Sequence, residues 1–509
     1  MPDQKKYWKS EVELNDQSTL AEELAQKEFI QKLPKDLLGN SELPESETSR
    51  RDFLKYMGFS TAAATLAACE GPINTSIPYV VQPEQIIPGV ANYYATTMID
   101  GFDTASILVK TREGRPIKIE NNIDAPVNNC GNARVQASVL SLYDSMRLQG
   151  PMQAGFDVSW DTLEANFVQQ LMKLAEKGEQ VALITPSLAS PTTNQIVKDF
   201  QAKFTNVNHH IYDAISETAA LNAFEKAYGK RALPSYDFSK ASCIVSVDAD
   251  FLGDWQGGGY DTGYAKTRLP KGKKGNAKMS KHYQFESNMT LSGANADLRI
   301  PTNATEQQFV LAALYGALTN KSYPTSLSKA LKAKVSEIAA ALKFAGKGAV
   351  VVTGLQNEDA QRAALAINEL LGSDVMDVRQ NTSLRQGDAS QINQLVNDLN
   401  SGKVKGVIMA GVNPAYTLPN ADAFIAGLKK ADLSLSFSMK NDETAVHCQW
   451  VAATPHYLES WGDVEMKMGH YALMQPTIRP LFDTKQFQEV LLKLSGSSQS
   501  YDDAIKAYW

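Results

Sequence analysis

Four cysteines, Cys69, Cys130, Cys243 and Cys448, are the only thiols in the 509-residue chain, and no two stand in a C-x-x-C arrangement. A local zinc or iron–sulfur motif is therefore absent. The spacings nominate no disulfide pair either. Cys243, inside Ala241-Ser-Cys-Ile-Val-Ser-Val247, reads as a small apolar residue of a buried strand. Of six histidines, His209 and His210 fall between a strand and a helix, and His447, His456 and His470 lie toward the C-terminal end. Each reads as a satisfied structural side chain. The carboxylates Asp442, Glu443, Glu459 and Asp463 are close in sequence but carry no motif, so they read as hydrogen-bonding loop residues. The string Gln256-Gly-Gly-Gly-Tyr-Asp-Thr-Gly263 does not follow the G-x-G-x-x-G pattern between a strand and a helix, which makes a dinucleotide fingerprint weak. No P-loop, H-E-x-x-H or G-x-S-x-G string occurs. The residues thus assign no catalytic, cofactor-binding or metal-ligating side chain.

A different chemistry is written near the N-terminus. Ser49-Arg50-Arg51-Asp52-Phe53-Leu54-Lys55 precedes a short stretch of small and apolar residues, Tyr56 to Ala68. That is the n-region and h-region of a twin-arginine export signal, with Arg50, Arg51, Phe53 and Leu54 as its recognition residues. The alternative is a surface helix with a chance arginine pair. The h-region closes on Leu66-Ala67-Ala68-Cys69, which has the form of a lipobox. Acylated Cys69 would anchor the chain to a membrane, since two acyl chains hold where one is marginal; ordinary cleavage, or none, is the other reading. Pro78, Pro83 and Pro88 then suit an extended tether. The expected location is the periplasmic face of a bacterial inner membrane.

The elements behind these residues follow from composition and period. With 43% hydrophobic and 21% charged residues the chain is long enough for two or three packed domains. No run of eighteen apolar residues appears, so the body does not span a bilayer as a helix. The net charge of −6 is mixed along the chain and gives no reason to expect nucleic acid. A local exception, Lys266–Lys281, holds seven Lys or Arg and no acid. It reads as a solvated loop or as a docking patch for an acidic partner.

Ser106–Glu120 reads as two strands around the turn Arg112-Glu-Gly-Arg115, and Ala133–Leu148 as a helix. Apolar runs at 181–185, 243–247, 349–353, 407–411 and 433–437 read as buried strands, with a further short strand at Ile211–Asp213. Helical periodicity covers 158–177, 191–204, 217–228, 307–318, 327–342 and 360–371. Alternation of such strands and helices means parallel sheets covered on both faces. The expected order is a polar extension over 1–48, the export signal over 49–69, a tether over 70–92 and a β-rich opening segment over 93–154. A first α/β domain over 155–345, a second over 346–450 and a C-terminal segment over 451–509 complete it.

Several strings together resemble the large-subunit fold of molybdopterin oxidoreductases. Val109–Asn121 is similar to that family's opening hairpin, Asp124-Ala-Pro-Val-Asn128 to the proline turn after it, and Arg147-Leu-Gln-Gly-Pro151 to the exit from the next helix. Gly293–Asp297, Asn413-Pro-Ala-Tyr416, Asn441–Ala445, Leu458–Asp463 and Gln475–Leu481 extend the likeness. The resemblance implies an α/β, molybdopterin oxidoreductase-like fold: two doubly wound parallel-sheet regions with a small β-rich opening segment. An extension beginning Tyr7-Trp-Lys-Ser, ahead of an internal twin-arginine string, narrows the likeness to the second subunit of alternative complex III. In that quinol:electron-acceptor oxidoreductase this subunit joins a molybdoenzyme-like half to an iron–sulfur half, and the chain resembles the first half.

The departures from the family matter as much. Tyr93–Ser106 holds no Cys where cluster-bearing relatives place a group of them, and Cys130 is offset from the last cluster position, taken here by Asn132. No side chain answers to a molybdenum ligand, and Asn303-Ala-Thr-Glu306 stands where the family has its G-T-D string. The resemblance so altered implies a cofactor-free structural module of a quinol-oxidising membrane complex. Its implied partners are membrane quinol-oxidoreductase subunits, a ferredoxin-like iron–sulfur half and a multihaem cytochrome c subunit, with iron–sulfur clusters and haem c held by those partners. A working molybdopterin oxidoreductase lacking only the proximal cluster is the alternative, and a stand-alone envelope binding protein is a third. The tail Ser500–Trp509 has helical spacing with no Gly or Pro stop and reads as interrupted.

Overall fold

The computed structural model describes residues 86–509, apart from 88, 101–102, 130 and 271–277. Arg50, Arg51, Phe53, Leu54, Cys69 and Cys130 lie outside the described residues.

The opening segment is a three-stranded antiparallel sheet, β1 (Ala91–Asp100), β2 (Asp103–Arg112) and β3 (Arg115–Asn121), in that order. The expected turn joins β2 to β3, with Glu113 and Gly114 both at positive φ. Ile107, Val109 and Ile119 pack onto α1 (Ala133–Ala137) and α2 (Val139–Leu142). The single helix expected over 133–148 is therefore two short pieces. Its interruption falls at Ser138, whose hydroxyl donates to the Val135 carbonyl and also meets the Tyr457 hydroxyl at 2.7 Å.

Two short strands follow, β4 (Met152–Gln153) and β5 (Phe156–Asp157), then α3 (Trp160–Glu176), β6 (Gln180–Thr185), α4 (Pro191–Lys203) and β7 (Val207–Ile211). Next come α5 (Thr218–Tyr228), β8 (Leu233–Tyr236), β9 (Cys243–Val247), α6 (Asp261–Arg268) and β10 (Lys281–Glu286). The chain continues through α7 (Leu291–Ala294), β11 (Leu298–Pro301), α8 (Ala304–Thr319), α9 (Lys329–Ala345), β12 (Ala349–Thr353), α10 (Glu358–Leu371) and β13 (Met376–Thr382). It returns through α11 (Ala389–Asn400), β14 (Val404–Ala410), α12 (Pro414–Thr417), α13 (Ala421–Leu428), β15 (Leu433–Ser438) and β16 (Trp450–Ala453). The hairpin β17 (Gly462–Lys467) and β18 (His470–Met474), then α14 (Phe487–Leu494) and α15 (Tyr501–Tyr508), close it.

Among the described residues a seven-stranded sheet runs β5-β4-β16-β15-β14-β6-β7, parallel from β16 to β7. A four-stranded parallel sheet runs β11-β10-β9-β12. Strand periodicity sends alternate side chains to opposite faces, which is how one apolar run serves two cores. Val181 and Leu183 pack with α3, α4 and α14, while Ala182 and Ile184 pack with α11 and α13. Both faces are covered, as parallel sheets require.

The strands do not divide at residue 345. β12, the first strand after that point, pairs with β9, whereas β14 pairs with β6 from far earlier in the chain. The seven-stranded sheet thus takes strands from both expected regions, and the four-stranded sheet is set into the chain between them. The expected strand at 211–213 lies instead at 207–211, because Val207–Ile211 finds backbone partners on β6.

Candidate functional site

Both described cysteines are buried thiols in structural roles. Cys243 opens β9, and Cys448 donates to the Thr444 carbonyl at 3.4 Å. Burial pushes each thiol up to about 12, so neither is a ready thiolate. No group of three or more His, Cys, Asp or Glu among the described residues is placed to hold a metal ion. Two of the histidines are buried and bonded: His282 is held by Gln284 and Tyr264, and His456 by Ser141 and Ser138.

The four carboxylates near the C-terminal end separate into distinct roles. Asp442 accepts the backbone N–H groups of Thr444 and Ala445, and Glu443 accepts from Asn413. Glu459 forms a buried bidentate ion pair with Arg147, at 2.6 and 3.1 Å. That pair joins two of the family-like strings, something neither string alone discloses. Asp463 lies under the ligand edge of the seven-stranded sheet.

A cavity of about 480 Å³ opens between the opening segment, the loop after β8, the glycine turn at 256–259, β13 and the β17–β18 hairpin. The turn follows β9 and carries four successive residues at positive φ, Gln256 to Gly259. Gly258 is obligatory, since a Cβ there would stand 2.8 Å from the Gly253 carbonyl oxygen. Lys240, Lys266, Arg385 and Lys467 line the cavity, opposed by Asp237, Asp374 and Asp377. Burial holds the Lys467 ammonium and the Arg385 guanidinium below their ordinary values. Beneath the turn, rings fill the space at the end of β9. Tyr236 meets Trp255 at 5.2 Å, Trp255 meets Tyr260 at 5.5 Å, and Phe238 stacks on Phe251 at 4.6 Å.

A second cavity, about 320 Å³, lies at the C-terminal ends of β6, β14 and β16. This is where doubly wound sheets bind ligands. Its lining includes Asp100 and Asp463 and no Lys or Arg. Asp463, 2% exposed, sits at the N-terminus of α4. Its Oδ2 accepts the Thr192 N–H at 3.2 Å, the Thr192 hydroxyl at 2.8 Å and the Trp509 indole at 3.1 Å. Its Oδ1 accepts from Ser190 and from the Tyr501 hydroxyl. The four-stranded sheet repeats the device at the end of β10, where Glu286 accepts the Thr290 hydroxyl and the Arg299 guanidinium. Burial alone would raise the Glu286 carboxyl, and those partners hold it below its ordinary value. A Cβ at Gly293 would stand 1.8 Å from Glu286 Oε1, so the carboxylate already takes that space.

The fold is that of the molybdopterin oxidoreductases. Acetylene hydratase from Pelobacter acetylenicus superposes with a TM-score of 0.60 and 11% identity, covering 81% of this chain and 70% of the hydratase. In sequence, the chain is 26% identical to the menaquinone reductase, molybdopterin-binding-like subunit of Nitratidesulfovibrio vulgaris, across 90% of this chain and 74% of that subunit. No protein-family model matches.

Among the described residues, the donors do not fit the metal centre such a fold implies. Cys243 and Cys448 are buried in or beside strands, one imidazole, His470, reaches the larger cavity, and the smaller cavity presents carboxylates where an anionic cofactor needs donors.

Proposed function

We propose that this chain is a cofactor-free, molybdoenzyme-like structural module of a periplasm-facing, quinol-oxidising electron-transfer complex of the alternative complex III type. Its work is to dock iron–sulfur and haem c subunits beside the membrane quinol-oxidoreductase subunits, and electrons pass through those partners. The observation that carries the reading is the donor set: a molybdopterin oxidoreductase-like fold in which the carboxylates of Asp100 and Asp463, not thiolates or cations, face the second ligand edge. The relative's name, a molybdopterin-binding-like subunit of a menaquinone reductase, supports a subunit role in quinone chemistry. A working molybdopterin enzyme draws support from the cations of the larger cavity alone.

Metal analysis separates the two. The chain purified from membranes is expected to carry no stoichiometric molybdenum or tungsten, and no iron–sulfur resonance when reduced. One molybdenum per chain overturns the module reading.

The location rests on residues 49–69. Replacing Arg50 and Arg51 together with Lys is expected to leave folded protein in the cytoplasm, with Cys69 unacylated. Wild-type protein is expected at the outer surface of the inner membrane, with lipid on Cys69 visible by mass spectrometry of its N-terminus. Normal envelope assembly of the double variant refutes the signal, and an unmodified Cys69 in the wild type refutes the anchor.

A further inference from the structure

A parallel sheet leaves a crevice at the carboxyl ends of its strands, and the helix that follows each strand aims its unpaired N–H groups there. An anion satisfies those groups best. In this chain the anion at the start of α4 is covalent: it is the side chain of β17's second residue, Asp463.

What Asp463 ties together is as informative as what it fills. Its partners come from the β6–α4 turn (Ser190), the first turn of α4 (Thr192), α15 (Tyr501) and the last residue, Trp509. Tyr501 adds bonds of its own to Thr193, at 2.7 Å, and to Ser190. Trp509 packs edge-on against Tyr471 of β18, centroids 4.7 Å apart. The hairpin, the C-terminal helix and the sheet edge thus meet on one carboxylate that is almost wholly out of water. Every donor around it is neutral, so the charge is held by hydrogen bonds alone. The adjoining cavity offers no Lys or Arg to a second anion.

We propose that Asp463 is a built-in anion that closes the ligand edge of the seven-stranded sheet from inside, holding the β17–β18 hairpin and α15 there. The inference rests on the cofactor-free reading but adds a residue and a role to it.

Hydrogen exchange on the complex, wild type against Asp463→Ser, tests it. Exchange is expected to rise at least tenfold, together, in residues 186–193, in β17–β18 and in α15, while β14 and β15 keep their protection. Asp463→Asn, which keeps the shape and one acceptor oxygen, is expected to give a smaller rise in the same three segments. It serves as the readout should the serine variant fail to fold. Inorganic pyrophosphate at millimolar concentration is expected to leave wild-type exchange unchanged. A rise confined to residues beside 463 overturns the proposal, and so does pyrophosphate protection of residues 186–193 in the wild type. Molybdenum in the purified complex would instead overturn the cofactor-free reading, which keeps the two failures distinct.

Discussion

Arg147→Met is expected to lower the stability of the folded chain by about 3–5 kcal/mol, the range for breaking a buried ion pair from one side. Arg147 and Glu459 are 4% and 5% exposed. The guanidinium reaches both carboxylate oxygens, donates to the Leu142 carbonyl at 3.0 Å and lies 5.2 Å from the centroid of the Phe482 ring. Glu459 also accepts the backbone N–H groups of His456 and Leu481. Removing the arginine leaves that carboxylate buried, charged and short of its strongest donor. Glu459→Gln in the same chain removes the buried charge and keeps an acceptor oxygen for one of those two N–H groups, which bond to different carboxylate oxygens. The double variant is therefore expected to be more stable than Arg147→Met alone. Denaturant unfolding of the four chains of this cycle measures the coupling. Additive losses would show that the pair is not coupled and that the segments 142–148 and 456–482 are held by packing instead.

Acid should weaken the fold between about pH 6.5 and about pH 4. Burial pushes the imidazoles of His282 and His456 down to about 4. For His456, Arg147 adds to the depression and Glu459 opposes it; for His282, the Gln284 hydrogen bond opposes the burial. In the unfolded chain both return to about 6.5. Between these values the unfolded state binds more protons, so the stabilisation is complete above about pH 6.5 and is lost as the pH falls toward 4. Each contributes at most about 3 kcal/mol, since a tenfold change in proton affinity is worth about 1.4 kcal/mol. His209, which is partly buried, is pushed down to about 4 as well and adds to the loss.

Glu217 runs the other way. Burial raises its carboxyl to about 7, against the opposing charge of Arg385, so its contribution is full below its unfolded value and lost as the pH rises through 7. The two fully buried histidines against this one carboxyl leave a net loss on acidification of about 3 kcal/mol, before the share of His209. Denaturation midpoints at about pH 7 and about pH 4.5 measure it. His456→Gln should flatten the dependence by the share of one ring. Equal midpoints at both pH values, or an unchanged slope in the variant, would show that these rings are not buried neutral.

Much of the fold was legible because its strands are apolar runs with turn residues at their ends. The segments 181–185, 243–247, 349–353 and 433–437 all pair where their composition placed them. β10 was not legible, and the reason is chemical. Lys281-His-Tyr-Gln-Phe-Glu286 alternates, but its polar members His282, Gln284 and Glu286 are fully buried and bonded to one another in a row. A pattern that should mean one wet face marks a dry one. The division at 345 failed because sequence order carries no information on which strand crosses to which sheet. Asp463 was visible only as one acid among several near the C-terminal end. Its partners Ser190 and Thr192 stand more than 270 positions away, a juxtaposition that no local signal encodes.

The split origin of the seven-stranded sheet bears on the chain's birth. β9 to β12 form a contiguous block, residues 243–353, whose sheet can pair as soon as it leaves the ribosome. β6 emerges far earlier yet must wait for β14, which begins at residue 404, before its second edge is paired. Throughout that interval Gln180–Thr185 offers a bare apolar edge, the kind of surface that recruits chaperones or neighbouring nascent chains. Synthesis stalled between these points would yield a finished inner block inside an unclosed outer one. The order of emergence thus makes the outer sheet, not the inner one, the step at which production of this protein is most easily lost.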